Sequence, residues 1–177
     1  MSMNWLILLM MLAPLQITPA FATEQAIQPC ALPLDLQTKI SSLFPGTRIV
    51  GLGDLVDADR KFYQADHGNH CPGAVRVDFY GDQKPTWAIA LISETRETRR
   101  SRLLVAHLED SVWSIRSLES MTGTPVVWKE NPGQFRDVYG EKTIHAKYPV
   151  IVLCFYEASA IVYSWNGKKI DKVWISD

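Results

Sequence analysis

Several things are scarce in this sequence. Its 177 residues carry 18 Lys and Arg against 19 Asp and Glu, a formal net charge of −1, so neither sign is in excess. A chain without a basic surplus has no general attraction for nucleic acid or for an anionic membrane. Long apolar runs are missing too: the longest, Trp5–Ala13, falls well short of the roughly 20 residues that span a bilayer. There is no Gly-x-Ser-x-Gly elbow, no His-Glu-x-x-His pair and no phosphate-cradling P-loop. Gly51-Leu-Gly53-Asp54 begins like a dinucleotide fingerprint, but Val56 stands where the third glycine belongs and no helical pattern follows. Internal repeats and low-complexity tracts are absent. What is present is a hydrophobic fraction of 47% with 10% aromatic residues, ample for a packed core.

Residues 1–22 read as a secretory leader. The apolar run from Trp5 is followed by Pro14, Pro19 and the small-residue ending Ala20-Phe21-Ala22, although no Lys or Arg precedes Lys39. Cleavage is expected after Ala22, leaving residues 23–177 as one domain with no transmembrane segment, released into the periplasm; the alternative is an uncleaved anchor. Lipidation at Cys30 is not expected, because Ile27-Gln28-Pro29 lacks the small residues of such a site.

An oxidising compartment changes how the three cysteines are read. Cys30 and Cys71 lie in polar, Pro- and Gly-containing stretches, whereas Cys154 lies inside Val150-Ile-Val-Leu-Cys-Phe-Tyr156, a β-branched and aromatic run of the kind buried on both faces. The economical pairing is Cys30–Cys71, closing about 40 residues and worth roughly 4 kcal/mol. Cys154 is then a reduced, inert core thiol.

Leu34–Phe44 is the one helical segment predicted, with Asp35 as N-cap, an apolar face of Leu36, Ile40, Leu43 and Phe44, and Pro45-Gly46 as its stop. Asp54–Gly73 reads as a long polar loop. From Ala74 onward strand follows strand: Val75–Tyr80, Trp87–Ser93, Leu103–Leu108, Val112–Leu118, Val126–Trp128, Thr143–Ala146, Val150–Tyr156, Ala160–Trp165 and Lys168–Ile175. Asn166-Gly167 predicts a type I′ hairpin with Ile161, Tyr163, Trp165, Ile170 and Trp174 on one face. The expected fold is mainly β, a single antiparallel sheet domain with one N-terminal helix.

Three clusters are candidate sites. In Asp78-Phe-Tyr-Gly-Asp82-Gln-Lys-Pro-Thr-Trp87 two acids flank a turn between strands. Through Asp78, Phe79, Gly81, Asp82 and Pro85 the segment resembles the calcium-binding Asp-Phe-x-Gly-Asp loop of FG-GAP/VCBS-type proteins, which implies Asp78 and Asp82 as cation ligands. Tyr80, Gln83 and Thr86 depart from that pattern where calcium would want oxygen or a turn glycine. A purely structural turn is the reading preferred. Asp66, His67, His70 and Cys71 have zinc-like spacing, but a disulfide claims Cys71, and His107 and His145 would have to converge from separate strands. Arg96, Arg99, Arg100 and Arg102 form a basic run, expected to decorate a hairpin tip or to meet an acidic partner or a phosphate-bearing ligand.

Leader, helix, Asp-Phe-x-Gly-Asp sheet and closing Trp-Asn-Gly-Lys hairpin together resemble small exported proteins of Gram-negative bacteria. No cofactor or catalytic residue is expected. The function expected is a periplasmic protein-binding domain, of an immunity or inhibitor kind against a toxin or hydrolase, contacting another periplasmic or secreted protein through Arg96–Arg102 and the Asp66, His67, His70 loop. The alternatives are a small metal-dependent or ligand-binding enzyme using His67 and His70, and a structural envelope component.

Overall fold

A computed structural model describes residues 30–94, 98–156 and 158–176, so the leader and Arg96 lie outside the described residues. Two of the three longest strands are apolar on both faces. Along Thr86–Glu94 (β3), Ala88, Ala90 and Ile92 point one way and Ile89 and Leu91 the other, all buried. Arg99–Glu109 (β4) repeats this with Leu103 and Val105 against Leu104 and Ala106. Such strands need cover on both sides, which a single sheet with one exposed face does not give. The described residues answer with two main antiparallel sheets packed on each other, within the expected mainly β, antiparallel fold.

The first sheet runs Arg48–Ile49 (β1), β3, β4, Val112–Thr122 (β5), with Ala74–Arg76 (β2) also paired to β3. The second runs Ile170–Ser176 (β11), Ser159–Trp165 (β10), Val150–Phe155 (β9), Val126–Glu130 (β6). Between them lies the main core, where Ala88, Ile92, Leu103 and Val105 meet Val127, Ile151, Leu153, Ile161 and Tyr163. The outer face of the first sheet is covered by helix α1, Leu34–Leu43, through Leu36 and Ile40 over Ile89, Leu104 and Trp113. The outer face of the second is covered by the hairpin Gln134–Arg136 (β7) and Thr143–His145 (β8), with Ile144 and Ala146 over Val150, Val152 and Val162.

Pro33, not Asp35, occupies the N-cap of α1. The Asp35 carboxylate instead accepts a 2.6 Å bond from the Trp113 indole, pinning the helix to the sheet.

The expected polar loop holds a second helix, α2, at Asp57–His67. Asp57 and Asp59 in its first turn and His67 in its last suit the helix dipole, and Gly68 at φ +63° ends it. It buries only Tyr63, whose hydroxyl donates to the Cys71 carbonyl at 3.0 Å. With one buried residue it has little packing against the core.

Cys30 and Cys71 form the expected disulfide, with Cα atoms 4.9 Å apart. It fixes the entry to α1 onto the seam of the two sheets. There the Gly73 carbonyl accepts from Ala90 N–H and the Pro72 carbonyl from Val127 N–H. A side chain at Gly73 would lie 2.4 Å from the Val50 carbonyl oxygen, so only glycine fits this crossing.

The closing hairpin keeps its predicted face with a different turn. Trp165 pairs with Ile170, leaving a four-residue loop in which Gly167 has φ +94° and Asn166 Oδ1 accepts from Lys168 and Lys169 N–H. Two extra loop residues preserve side-chain parity, because the strand period is two.

Candidate functional site

The expected histidine cluster does not assemble. His67 is half-buried, its ring 4.8 Å from both Tyr63 and Trp128, while Asp66 and His70 are exposed around the end of α2. His145 is exposed on the outer hairpin. Among the described residues no group of three His, Cys, Asp or Glu side chains is placed to hold a metal ion. The remaining member of that cluster, Cys71, is in the disulfide. Cys154 is free and half-buried, not fully enclosed, and burial pushes its thiol up to about 11, with Asp59 adding to the shift.

The acidic turn is knitted by its own carboxylates. Asp78 Oδ1 accepts from Gln83 N–H at 3.1 Å, and Asp82 Oδ1 accepts from Lys84 N–H at 3.1 Å. The second Asp82 oxygen is 3.1 Å from His107 Nε2.

The arginine run is divided by strand alternation. Arg99, Arg100 and Arg102 lie within β4, not at a hairpin tip. Arg99 is a structural residue: it donates to the Asp54 carbonyl at 3.0 Å and to Thr124 Oγ1 at 2.8 Å, and pairs with Glu94. Arg100 and Arg102 point the other way, onto the outer face of the first sheet beyond the end of α1. Cross-strand register sets them in two rows, Ser93–Arg100–Thr122 and Leu91–Arg102–Ser120. The Arg102 guanidinium sits 5.3 Å from the Phe44 ring centroid at the end of α1. These rows and Thr47 line a cleft of about 650 Å³ that no carboxylate lines among the described residues. Neither Arg100 nor Arg102 meets a carboxylate among the described residues. Among the described residues β5 is the last strand of its sheet, so the cleft opens onto a sheet edge.

A second cavity, about 340 Å³, lies at the mouth between the sheets. At its base His107 is buried, with Nδ1 2.8 Å from Thr86 Oγ1 and Nε2 facing Asp82. A neutral ring protonated on Nε2 satisfies both contacts, donating to Asp82 and accepting from Thr86. Glu109 Oε1 lies 3.8 Å from the same Nε2. Tyr80 packs 4.6 Å from the His107 ring and 5.1 Å, edge on, from Trp165. Burial raises the Tyr80 phenol above its ordinary range, a shift that Arg116 opposes and that Glu109 and Asp82 reinforce. The sequence carries a signal for this site in two polar residues set into apolar strands. In Leu103-x-Val105-x-His107 and Thr86-x-Ala88-x-Ala90, polar residues occupy core-facing positions of apolar alternation.

No family model matches the chain, and no curated protein and no solved structure matches it. No helix among the described residues is long and apolar enough to cross a membrane.

Proposed function

We propose that this is an exported, non-enzymatic protein-binding domain that receives an extended acidic segment of a partner protein at the Arg100/Arg102 cleft, in an immunity or inhibitor role in the periplasm. One observation carries the reading: two exposed arginines in register, without carboxylate partners among the described residues, stand beside the sheet edge β5.

A guanidinium fork matches a carboxylate with two parallel hydrogen bonds. The free edge of β5 offers N–H and C=O groups to an added strand. A strand laid there would bring alternate side chains beside Ser120 and Thr122, the neighbours of Arg102 and Arg100. Phe44 and Leu91 give the site an apolar floor on which such pairs lose water. The Cys30–Cys71 bridge supports export, since a bond of this kind persists in an oxidising compartment.

Amide NMR during titration with an acetylated peptide of alternating Glu and Val tests the chemistry. Shifts confined to Arg100–Arg102 and Ser120–Thr122, falling roughly tenfold in affinity in Arg100→Glu/Arg102→Glu, are expected. Equal binding of a peptide with Gln in place of Glu, or no shift at the cleft, refutes the reading.

A further inference from the structure

The cavity between the sheets has no part in the arginine cleft, and its chemistry is different. We propose that it is a binding site for a neutral pyranose ring, so that the domain also holds a saccharide.

Three observations converge on that class of ligand. The first is its mixture of donors and acceptors. Arg116 and Ser114 offer N–H and O–H groups, while Asp82 and Glu109 offer carboxylate oxygens, all lining one space. Arg116 and Glu109 share the cavity without pairing to each other: Arg116 meets no carboxylate within the ion-pair distance among the described residues, and Glu109 Oε1 lies 3.8 Å from His107 Nε2. Both keep hydrogen-bonding capacity to spend on a ligand. A sugar hydroxyl donates and accepts at once, so a ring of hydroxyls is satisfied by such a mixed lining. A phosphate would face two carboxylates, and an ammonium would face Arg116.

The second is the aromatic wall. Tyr80 and Trp165 are half-buried and line the cavity. Their electron-rich faces suit the row of C–H bonds on one side of a pyranose. The third is size and rigidity. A volume of about 340 Å³ lies at the lower end of small-molecule sites and accommodates one ring in place of an extended chain. Thr86 and Asp82 hold His107 from both ring nitrogens, so the base of the cavity is fixed before a ligand arrives.

The test is titration of the full exported chain, followed by amide and indole NMR, with glucose, galactose, N-acetylglucosamine and their β-linked disaccharides. At least one should shift the Trp165 indole together with Asp82 and Ser114. Glu109→Gln and Arg116→Gln, both exposed positions that leave the core untouched, should each weaken that binding by about tenfold. Trp165→Ala should abolish it, provided its amide spectrum shows a folded chain; the two exposed variants decide the matter if it does not. Arg100→Glu/Arg102→Glu should leave saccharide binding unchanged, which separates this inference from the protein-binding reading. The proposal is overturned if no sugar moves these signals, if binding survives both exposed variants, or if tetramethylammonium or inorganic phosphate binds the cavity in preference to every sugar.

Discussion

Replacing both Cys30 and Cys71 by alanine removes a crosslink between residues 41 apart. The loop-closure entropy returned to the unfolded chain corresponds to about 4 kcal/mol at 25 °C. The packing cost should be small: Cys30 is only half-buried, and alanine at buried Cys71 leaves no unpaired polar group. The Cys71 carbonyl still accepts from Tyr63, and the Pro72 and Gly73 carbonyls still bridge the sheets, so the native fold should persist. For a domain of this size the loss translates into a fall in Tm of roughly 8–16 °C. Urea unfolding followed by circular dichroism should show the same loss with a larger m-value, because the uncrosslinked unfolded chain expands further. Wild-type protein unfolded in dithiothreitol should match the variant. A loss below about 1 kcal/mol with an unchanged m-value would refute the reasoning and remove the structural support for export.

Other substitutions probe the layers directly. Leu36→Ala empties the fully buried contact of α1 on the first sheet and should cost about 2–5 kcal/mol in urea denaturation. Gly73→Ala drives a methyl group into the Val50 backbone and should cost about 1–3 kcal/mol or prevent folding, read by expression yield and Tm. Burial raises Cys154 from 9.0 to about 11 and Tyr63 from 10.0 to about 12. The folded state holds these protons more tightly, so their contribution to stability is intact below pH 9 and is lost as pH rises towards 12. Chemical denaturation between pH 8 and pH 12 should show that decline. Iodoacetamide should also label Cys154 more slowly at pH 8.5 than it labels an unstructured cysteine peptide; equal rates would contradict the burial.

What could be read from the residues alone follows from how strongly each is over-determined. Period-two alternation placed most strands, and it fixed the shared face of Ile161, Tyr163, Trp165 and Ile170 even though the turn has four residues in place of two. The disulfide followed from the contrast between two loop cysteines and one strand cysteine. Helix α2 was illegible because local side-chain bonds hold it: Arg60 donates to the Leu52 and Leu55 carbonyls and to Asp57, and only Tyr63 is buried. The division of the arginines was hidden for another reason. Arg99 and Arg100 are adjacent in sequence and face opposite ways once β4 extends past Leu103. The His107 cavity draws on the turn after β2, on β4, on β5 and on the end of β10, which no local pattern brings together.

Site-specific photo-crosslinking in the native host tests the central claim most directly. A benzoylphenylalanine at Ser120, on the edge strand beside Arg102, should yield one covalent adduct with a protein in the exported pool, through a peptide rich in Asp and Glu. The adduct should vanish in the Arg100→Glu/Arg102→Glu background, and the same probe at Glu141, exposed between β7 and β8 on the opposite side of the fold, should yield none. An adduct that forms equally from both positions, that survives the charge reversal, or that never forms at Ser120 would contradict the account.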